Sequence, residues 1–203
     1  MGCRFDCAYE HELRQIFEIT NVPLCIIFAH PCKYISHIKY ANKINVELMT
    51  FDNEEELIKI HTYFPNARLL LRIAVEDSQS LCKFNTKFGC KIENVEKLIL
   101  VARNLNLNLQ GFSFHVGSGC KSSTVYYRAL KICYEAMCIA DKYNYQIKII
   151  NICGGFIAAI DDDGISIEDM SIEIKKVFVI FFITKHRVYR RTRVLYGKEI
   201  SYT

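Results

Sequence analysis

The chain has 203 residues, of which 51% are hydrophobic and 24% charged, a composition that can bury a core and excludes a disordered polymer. That length suits one domain of ordinary size. A net charge of +4 is too mild to imply a nucleic-acid partner.

Short apolar runs alternate with amphipathic stretches. Residues 3–7 are brief and strand-like, and residues 9–20 (YEHELRQIFEIT) read as a helix with Leu13, Ile16 and Phe17 on one face. Residues 25–29 (CIIFA) form a continuous apolar run, as a fully buried strand does. A helical period follows at 34–43 and a strand at 45–50. Asp52 is then expected to cap a helix at 53–63, with Glu55 completing a D-x-x-E variant of the capping box. The acidic run Glu54, Glu55 and Glu56 suits the positive helix start and is read as capping plus a solvated face.

Residues 67–75 (ARLLLRIAV) read as a strand, and residues 93–106 place Val95, Leu98, Ala102 and Leu105 on one helical face. Residues 109–116 (LQGFSFHV) return to strand. Residues 123–143 repeat apolar side chains at helical spacing from Val125 to Ala140, and 146–152 (QIKIINI) form a sixth strand. Six strand–helix units in series imply parallel strands joined by crossover helices. Both a doubly wound sheet and a barrel satisfy that pattern, although no G-x-G-x-x-G follows the first strand.

Residues 157–203 break the rhythm and are set apart from the barrel-like portion, 1–156, as a divergent tail. They hold a turn at Asp161-Asp162-Asp163-Gly164, an apolar run VFVIFFI (177–183) and the basic KHRVYRRTR. The aspartates lack the spaced ligands of a calcium loop and read as a surface turn. The basic run reads as a solvated terminus, and the apolar run as an aggregation hazard unless covered.

Ten cysteines include no C-x-x-C pair, so they are read as small buried hydrophobes in a reducing cytoplasm, with no metal site. No apolar run approaches ~18 residues, and no membrane association is expected. The Met1-Gly2 start resembles a myristoylation signal, but its sixth residue is Asp6 instead of Ser or Thr.

Three strand ends are candidates for chemistry. In Phe114-His115-Val116-Gly117-Ser118-Gly119 the glycines permit close backbone approach, Ser118 adds a hydroxyl and His115 a flat ring. In Asn151-Ile152-Cys153-Gly154-Gly155-Phe156 consecutive glycines offer backbone N–H groups to phosphate oxygens. Arg72, within Leu70-Leu71-Arg72-Ile73-Ala74, and Asp6 are charges inside apolar strands, which are costly unless paired with each other's kind or functional.

The blocks RFDCA, AHPCKYISHIKYA, MTFDNEEEL, LLLRIA, KFG, GFSFHVGSG and NICGGF stand in the order found in ornithine decarboxylases and antizyme inhibitors, over about residues 2–156. The chain resembles that family. The resemblance implies a partial TIM (β/α)8 barrel of the alanine-racemase-like type, binding pyridoxal 5'-phosphate, with the family's C-terminal β-domain not represented. It implies that His115 stacks on the pyridine ring, that Ser118, Gly154 and Gly155 bind the phosphate, and that Asp6 and Arg72 line the cofactor pocket. It implies ornithine as substrate, a homodimer or a heterodimer with full-length decarboxylase, cytoplasmic polyamine synthesis, and antizyme as a partner contacted through 35–59, where Lys39 and Lys59 are the candidate contacts.

Departures are expected to matter. The family's DIGGGF reads NICGGF here, so Asn151 replaces an acid, and Cys153 replaces a glycine whose backbone approaches phosphate, where a Cβ is expected to clash or force φ out of range. The family's Schiff-base lysine belongs to a Y-A-V-K-C-N block ahead of FDCA, and the E-P-G-R segment and the C-D pair of the C-terminal domain have no counterpart. The expectation is a chain that retains a cofactor pocket but does not catalyse decarboxylation alone.

Overall fold

The computed structural model describes residues 4–75, 87–118, 120, 122, 124–156, 166–178 and 193–196. Seven strands, β1 (Phe5–Cys7), β2 (Ile26–Phe28), β3 (Leu48–Phe51), β4 (Arg68–Arg72), β5 (Asn108–Phe114), β6 (Ile149–Ile152) and β7 (Arg193–Tyr196), form one sheet in sequence order. Every neighbouring pair is parallel. The helices between them are α1 (Glu10–Thr20), α2 (Ile35–Lys43), α3 (Glu54–Tyr63), α4 (Ile92–Asn104), α5 (Thr124–Lys142) and α6 (Ile167–Phe178). The result is a curled half-barrel, and it selects the barrel from the two arrangements that the strand–helix rhythm allows. All six expected strands are present. Helix α6 and strand β7 continue the same alternation within 157–203. The Asp161–Gly164 turn, most of VFVIFFI, and the basic run apart from Arg193 lie outside the described residues.

Strand periodicity divides the interior. Ile26, Phe28, Met49, Leu69, Leu71, Phe112, Phe114, Ile150 and Ile152 face the helices and join the large core. The alternate positions face the concave side. Ile27, Leu48, Leu70 and Ile149 form a small second cluster there, and Thr50, Arg72, Ser113 and Asn151 are its buried polar members. Register puts Leu70 beside Gly111 and Gly111 beside Ile149. A Cβ on Gly111 would lie 2.0 Å from the Ile149 carbonyl oxygen and 2.9 Å from Leu70 Cδ2, so only glycine lets these strands close up.

Helix ends use asparagine. Asn21, Asn45, Asn106 and Asn144 follow α1, α2, α4 and α5 with φ of 49°, 61°, 53° and 62°. Among residues with a Cβ, asparagine tolerates this left-handed geometry best, because its short amide bonds locally. At the other end of α1, Glu12 reaches back to the N–H groups of Ala8 and Tyr9.

The start of α3 differs from the sequence expectation. Asn53, extended at φ −147°, is the cap, and its side chain accepts the Glu56 N–H at 2.8 Å. Asp52 instead accepts the Gly89 N–H at 2.8 Å, tying down the segment that leads to α4. Glu56 does not belong to a solvated face. It is 1% exposed and takes Lys33 Nζ at 2.8 Å and Lys59 Nζ at 2.6 Å. Lys33 is 3% exposed, and its ammonium also meets the carbonyl oxygens of His30 and Thr50.

Candidate functional site

Parallel strands place the loops at their C-terminal ends on one rim, and the predicted residues gather there. Arg72 ends β4, His115 and Ser118 follow β5, and Gly154 and Gly155 follow β6. Asp6 lies on β1.

Both glycines are closely approached by the His115 loop. A Cβ on Gly154 would lie 2.8 Å from His115 Nε2, so a side chain there would have to displace the imidazole. Gly155 has φ +104°, and a Cβ there would lie 2.2 Å from Val116 Cγ2 and 2.9 Å from the Gly117 oxygen. Gly117 is also left-handed, at φ 86°. The Gly117 N–H donates to His115 Nδ1 at 2.9 Å, which leaves the neutral imidazole with its proton on Nε2. The Cys120 N–H donates to the Gly155 oxygen at 3.1 Å and joins the two loops. The N–H groups of Gly154 and Gly155 donate to no acceptor among the described residues. Ser118 is exposed beside them.

Asp6 and Arg72 are not an ion pair among the described residues. Asp6 accepts from Asn151 Nδ2 at 3.2 Å. Burial raises the Asp6 carboxyl to about 6, against a smaller downward pull from that amide. Arg72, 9% exposed, lies over the Phe88 ring with 5.4 Å between Cζ and the centroid.

Cys153 does not force φ out of range. It is not among the residues with positive φ, and its N–H donates to the Phe114 oxygen at 3.0 Å. Its thiol turns to the concave side, 3.0 Å from Ser113 Oγ and 3.3 Å from Asn151 Nδ2. Burial first, and the nearby Asp6 second, push this thiol up to about 12, so it stays protonated at neutral pH. Asn151 is fully buried, and its Oδ1 has no hydrogen-bond partner among the described residues.

Of the candidate partner contacts, Lys39 is exposed on α2 with its ammonium 5.0 Å from the Tyr63 ring centroid. The Lys59 ammonium is occupied by Glu56 and by the Lys33 oxygen at 2.6 Å. Lys33, Ser113 and the Asn151–Asp6 bond carry no local signal in the sequence, because each depends on a residue distant along the chain. No cluster of metal-binding side chains and no helix long and apolar enough to cross a membrane occurs among the described residues.

A sheet of this order with glycine-built loops on its C-terminal rim defines a cofactor-binding half-barrel, and the comparisons identify which kind. Residues 1–189 match the family described as "Pyridoxal-dependent decarboxylase, pyridoxal binding domain". The chain belongs to that family, the one of ornithine decarboxylases and antizyme inhibitors. It is 39% identical over 182 residues to antizyme inhibitor 2 of Xenopus laevis, covering 90% of this chain and 40% of that protein. It is 42% identical over 162 residues to the probable ornithine decarboxylase of Dictyostelium discoideum, covering 80% of this chain and 35% of that protein. The crystal structure of the arginine decarboxylase of Paramecium bursaria Chlorella virus superposes with a TM-score of 0.87 at 35% identity, covering 95% of this chain and 50% of that one. The chain thus spans half or less of the length of these relatives.

Proposed function

We propose that the chain supplies the pyridoxal-phosphate-binding half of an ornithine-decarboxylase-type protein acting in cytoplasmic putrescine synthesis. The observation that carries this reading is the pairing of His115 with Gly154–Gly155: a flat ring beside two backbone N–H groups that donate to no acceptor among the described residues, at adjoining strand ends. The residues fit the group. The Gly154 and Gly155 amides and the Ser118 hydroxyl hold phosphate oxygens. His115, fixed by the Gly117 N–H, packs on the ring face. Asp6 and Arg72 bound the pocket on the other strands. Bound there, the cofactor supplies an electron sink for the carbanion left by decarboxylation.

No lysine of the described residues stands among these groups: Lys33 is sealed by Glu56, and Lys59 lies on the outer face. The reading is therefore non-covalent cofactor binding, with no ornithine turnover by these residues alone. Titration of the purified chain with pyridoxal phosphate, followed by absorbance, tests it. Saturable binding is expected, weakened about two- to ten-fold by His115→Ala, since the ring contact is lost. Absence of saturation in the unaltered chain, or a borohydride-stable lysine adduct with matching carbon dioxide release, would overturn it.

A second reading is favoured by the match to an antizyme inhibitor over 90% of this chain. On it, the chain binds antizyme through the α2–α3 surface and spares active decarboxylase, or pairs with that enzyme as a dimer partner. Lys39 is the better-exposed contact there. Lys39→Glu is expected to reduce antizyme capture more than Lys59→Glu, because Lys59 already serves Glu56. Equal recovery of both variants and the unaltered chain would refute it.

A further inference from the structure

A buried hydroxyl sits unpaired at the seam between the two glycine loops. Tyr126, in the first turn of α5, is 0% exposed, and its Oη has no hydrogen-bond partner among the described residues. Burial first, and the nearby Cys120 second, raise the phenol far above its ordinary value, so it keeps a proton to donate. A buried hydroxyl without a partner costs stability, and packing alone would be served as well by phenylalanine.

The surroundings of Tyr126 show where it can act. Its ring stacks on Phe156, with centroids 5.3 Å apart and 17° between the planes, and Phe156 directly follows Gly155. The ring is therefore anchored to the loop after β6, while the hydroxyl reaches the loop after β5. A Cβ on Gly155 would lie 2.9 Å from Tyr126 Oη and 2.9 Å from the Gly117 oxygen, so a donor and an acceptor approach one point that glycine keeps open. The two loops also carry the phosphate donors between them: Ser118 follows Gly117 on one, and the Gly154 and Gly155 amides belong to the other. One bond already ties them, from the Cys120 N–H to the Gly155 oxygen at 3.1 Å.

We propose that Tyr126 is a positioning residue for a phosphate monoester. A phosphate group held by Ser118 and by the Gly154 and Gly155 amides draws the two loops together, and the Tyr126 hydroxyl then donates to the Gly117 carbonyl oxygen. That bond locks the loops in the bound arrangement and adds to affinity, although the phenol lies beneath the loops and does not touch the ligand. The inference rests on the phosphate reading given above and extends it to a residue of α5. It makes the phosphate, and not the pyridine ring, the group that Tyr126 senses.

The test uses the full chain with tyrosine labelled at Cζ, whose NMR signal responds to hydrogen bonding by the phenol. The Tyr126 signal is assigned by its loss in Tyr126→Phe. Inorganic phosphate, pyridoxal phosphate and pyridoxal are titrated separately at constant ionic strength. Phosphate and pyridoxal phosphate are expected to move the Tyr126 signal saturably, and pyridoxal, which lacks the phosphate, to leave it in place. Tyr126→Phe is expected to bind phosphate and pyridoxal phosphate about two- to ten-fold more weakly, the span of one net hydrogen bond. The same variant is expected to melt no lower than the unaltered chain when phosphate is left out, because the bond is made only with phosphate bound. A hydroxyl with a merely structural role gives the opposite pattern, a lower melting temperature with affinity unchanged. Equal phosphate affinity in Tyr126→Phe and the unaltered chain, a variant that melts lower or does not fold without phosphate, or a Tyr126 signal moved equally by pyridoxal overturns the proposal. An unaltered chain that binds neither phosphate nor pyridoxal phosphate sinks the phosphate reading and the proposal with it, whereas binding that Tyr126→Phe leaves intact sinks the proposal alone.

Discussion

Replacing Glu56 by glutamine should be among the most damaging isosteric changes available in this molecule. The carboxylate is 1% exposed and accepts Lys33 Nζ at 2.8 Å, Lys59 Nζ at 2.6 Å and the Lys33 N–H at 3.3 Å. Lys59 can turn to water, but the Lys33 side chain is fully buried and keeps only the His30 and Thr50 carbonyl oxygens. Breaking one side of a buried pair costs roughly 3–5 kcal/mol, because the other charge is stranded. The penalty has a ceiling: Lys33 can shed its proton, and bringing an ordinary lysine to neutrality at pH 7 costs about 4.6 kcal/mol. Burial already lowers Lys33 from its ordinary value against the pull of Glu56, and without Glu56 it falls further. The folded variant then binds fewer protons than its unfolded chain over the window between the lowered and ordinary lysine values. Its stability therefore rises with pH there, by up to about 1.4 kcal/mol per pH unit. Urea unfolding at pH 7, 8 and 9 measures both effects. A loss under about 1 kcal/mol at pH 7, or a flat pH dependence despite a large loss, would refute the reasoning. Lys33→Met with Glu56→Leu removes both charges and is expected to recover most of the stability.

Gly155→Ala places a Cβ on a left-handed residue 2.2 Å from Val116 Cγ2, so a loss of roughly 2–4 kcal/mol and of pyridoxal-phosphate binding is expected from thermal unfolding and absorbance titration. Asp6 has a folded value of about 6 against 3.8, so its contribution favours the fold at low pH and is lost as pH rises between about 4 and 6. Asp6→Asn is accordingly expected to be more stable than the unaltered chain by up to about 3 kcal/mol at pH 7.5, with the difference vanishing below pH 4, as read by urea midpoints. Among cysteines of the described residues, Cys32 is exposed and Cys153 is held protonated, so iodoacetamide at pH 8 should label Cys32 well before Cys153 in a peptide map.

The strand–helix alternation was legible because each strand is a short apolar run and each helix carries one apolar stripe, both of which are local properties. Boundaries moved where a cap decided them. Asp52 and Asn53 are both good caps by composition, and only the contact of Asp52 with Gly89, 37 residues away, releases Asn53 for the helix. The same distance hid Glu56: three consecutive glutamates look solvated until Lys33, 23 residues earlier, is seen beneath the third. The candidate site was legible as glycine-containing strand ends, since parallel topology brings such ends to one rim. What sequence could not show is which groups face each other there: Asp6 with Asn151, and Arg72 with Phe88.

The two departures in NICGGF make sense together once the concave face is seen. An aspartate at 151 would put a second carboxylate about 3 Å from Asp6 in a desolvated layer, where two acids share a proton. Asn151 replaces that repulsion with an amide donor to Asp6, and the same amide lies against the Cys153 thiol. Ser113, beside Arg72 in the register, meets that thiol from the other side. The thiol therefore enters a polar row that already has donors and acceptors for it, which is why a Cβ is accommodated at 153 without a left-handed backbone. At Gly155 the neighbours are Val116 and the Gly117 carbonyl, which have no space to give, and glycine is retained. The loop thus tolerates a side chain where it faces the concave row and excludes one where it faces the packed core, so its first glycine is replaceable and its last is not.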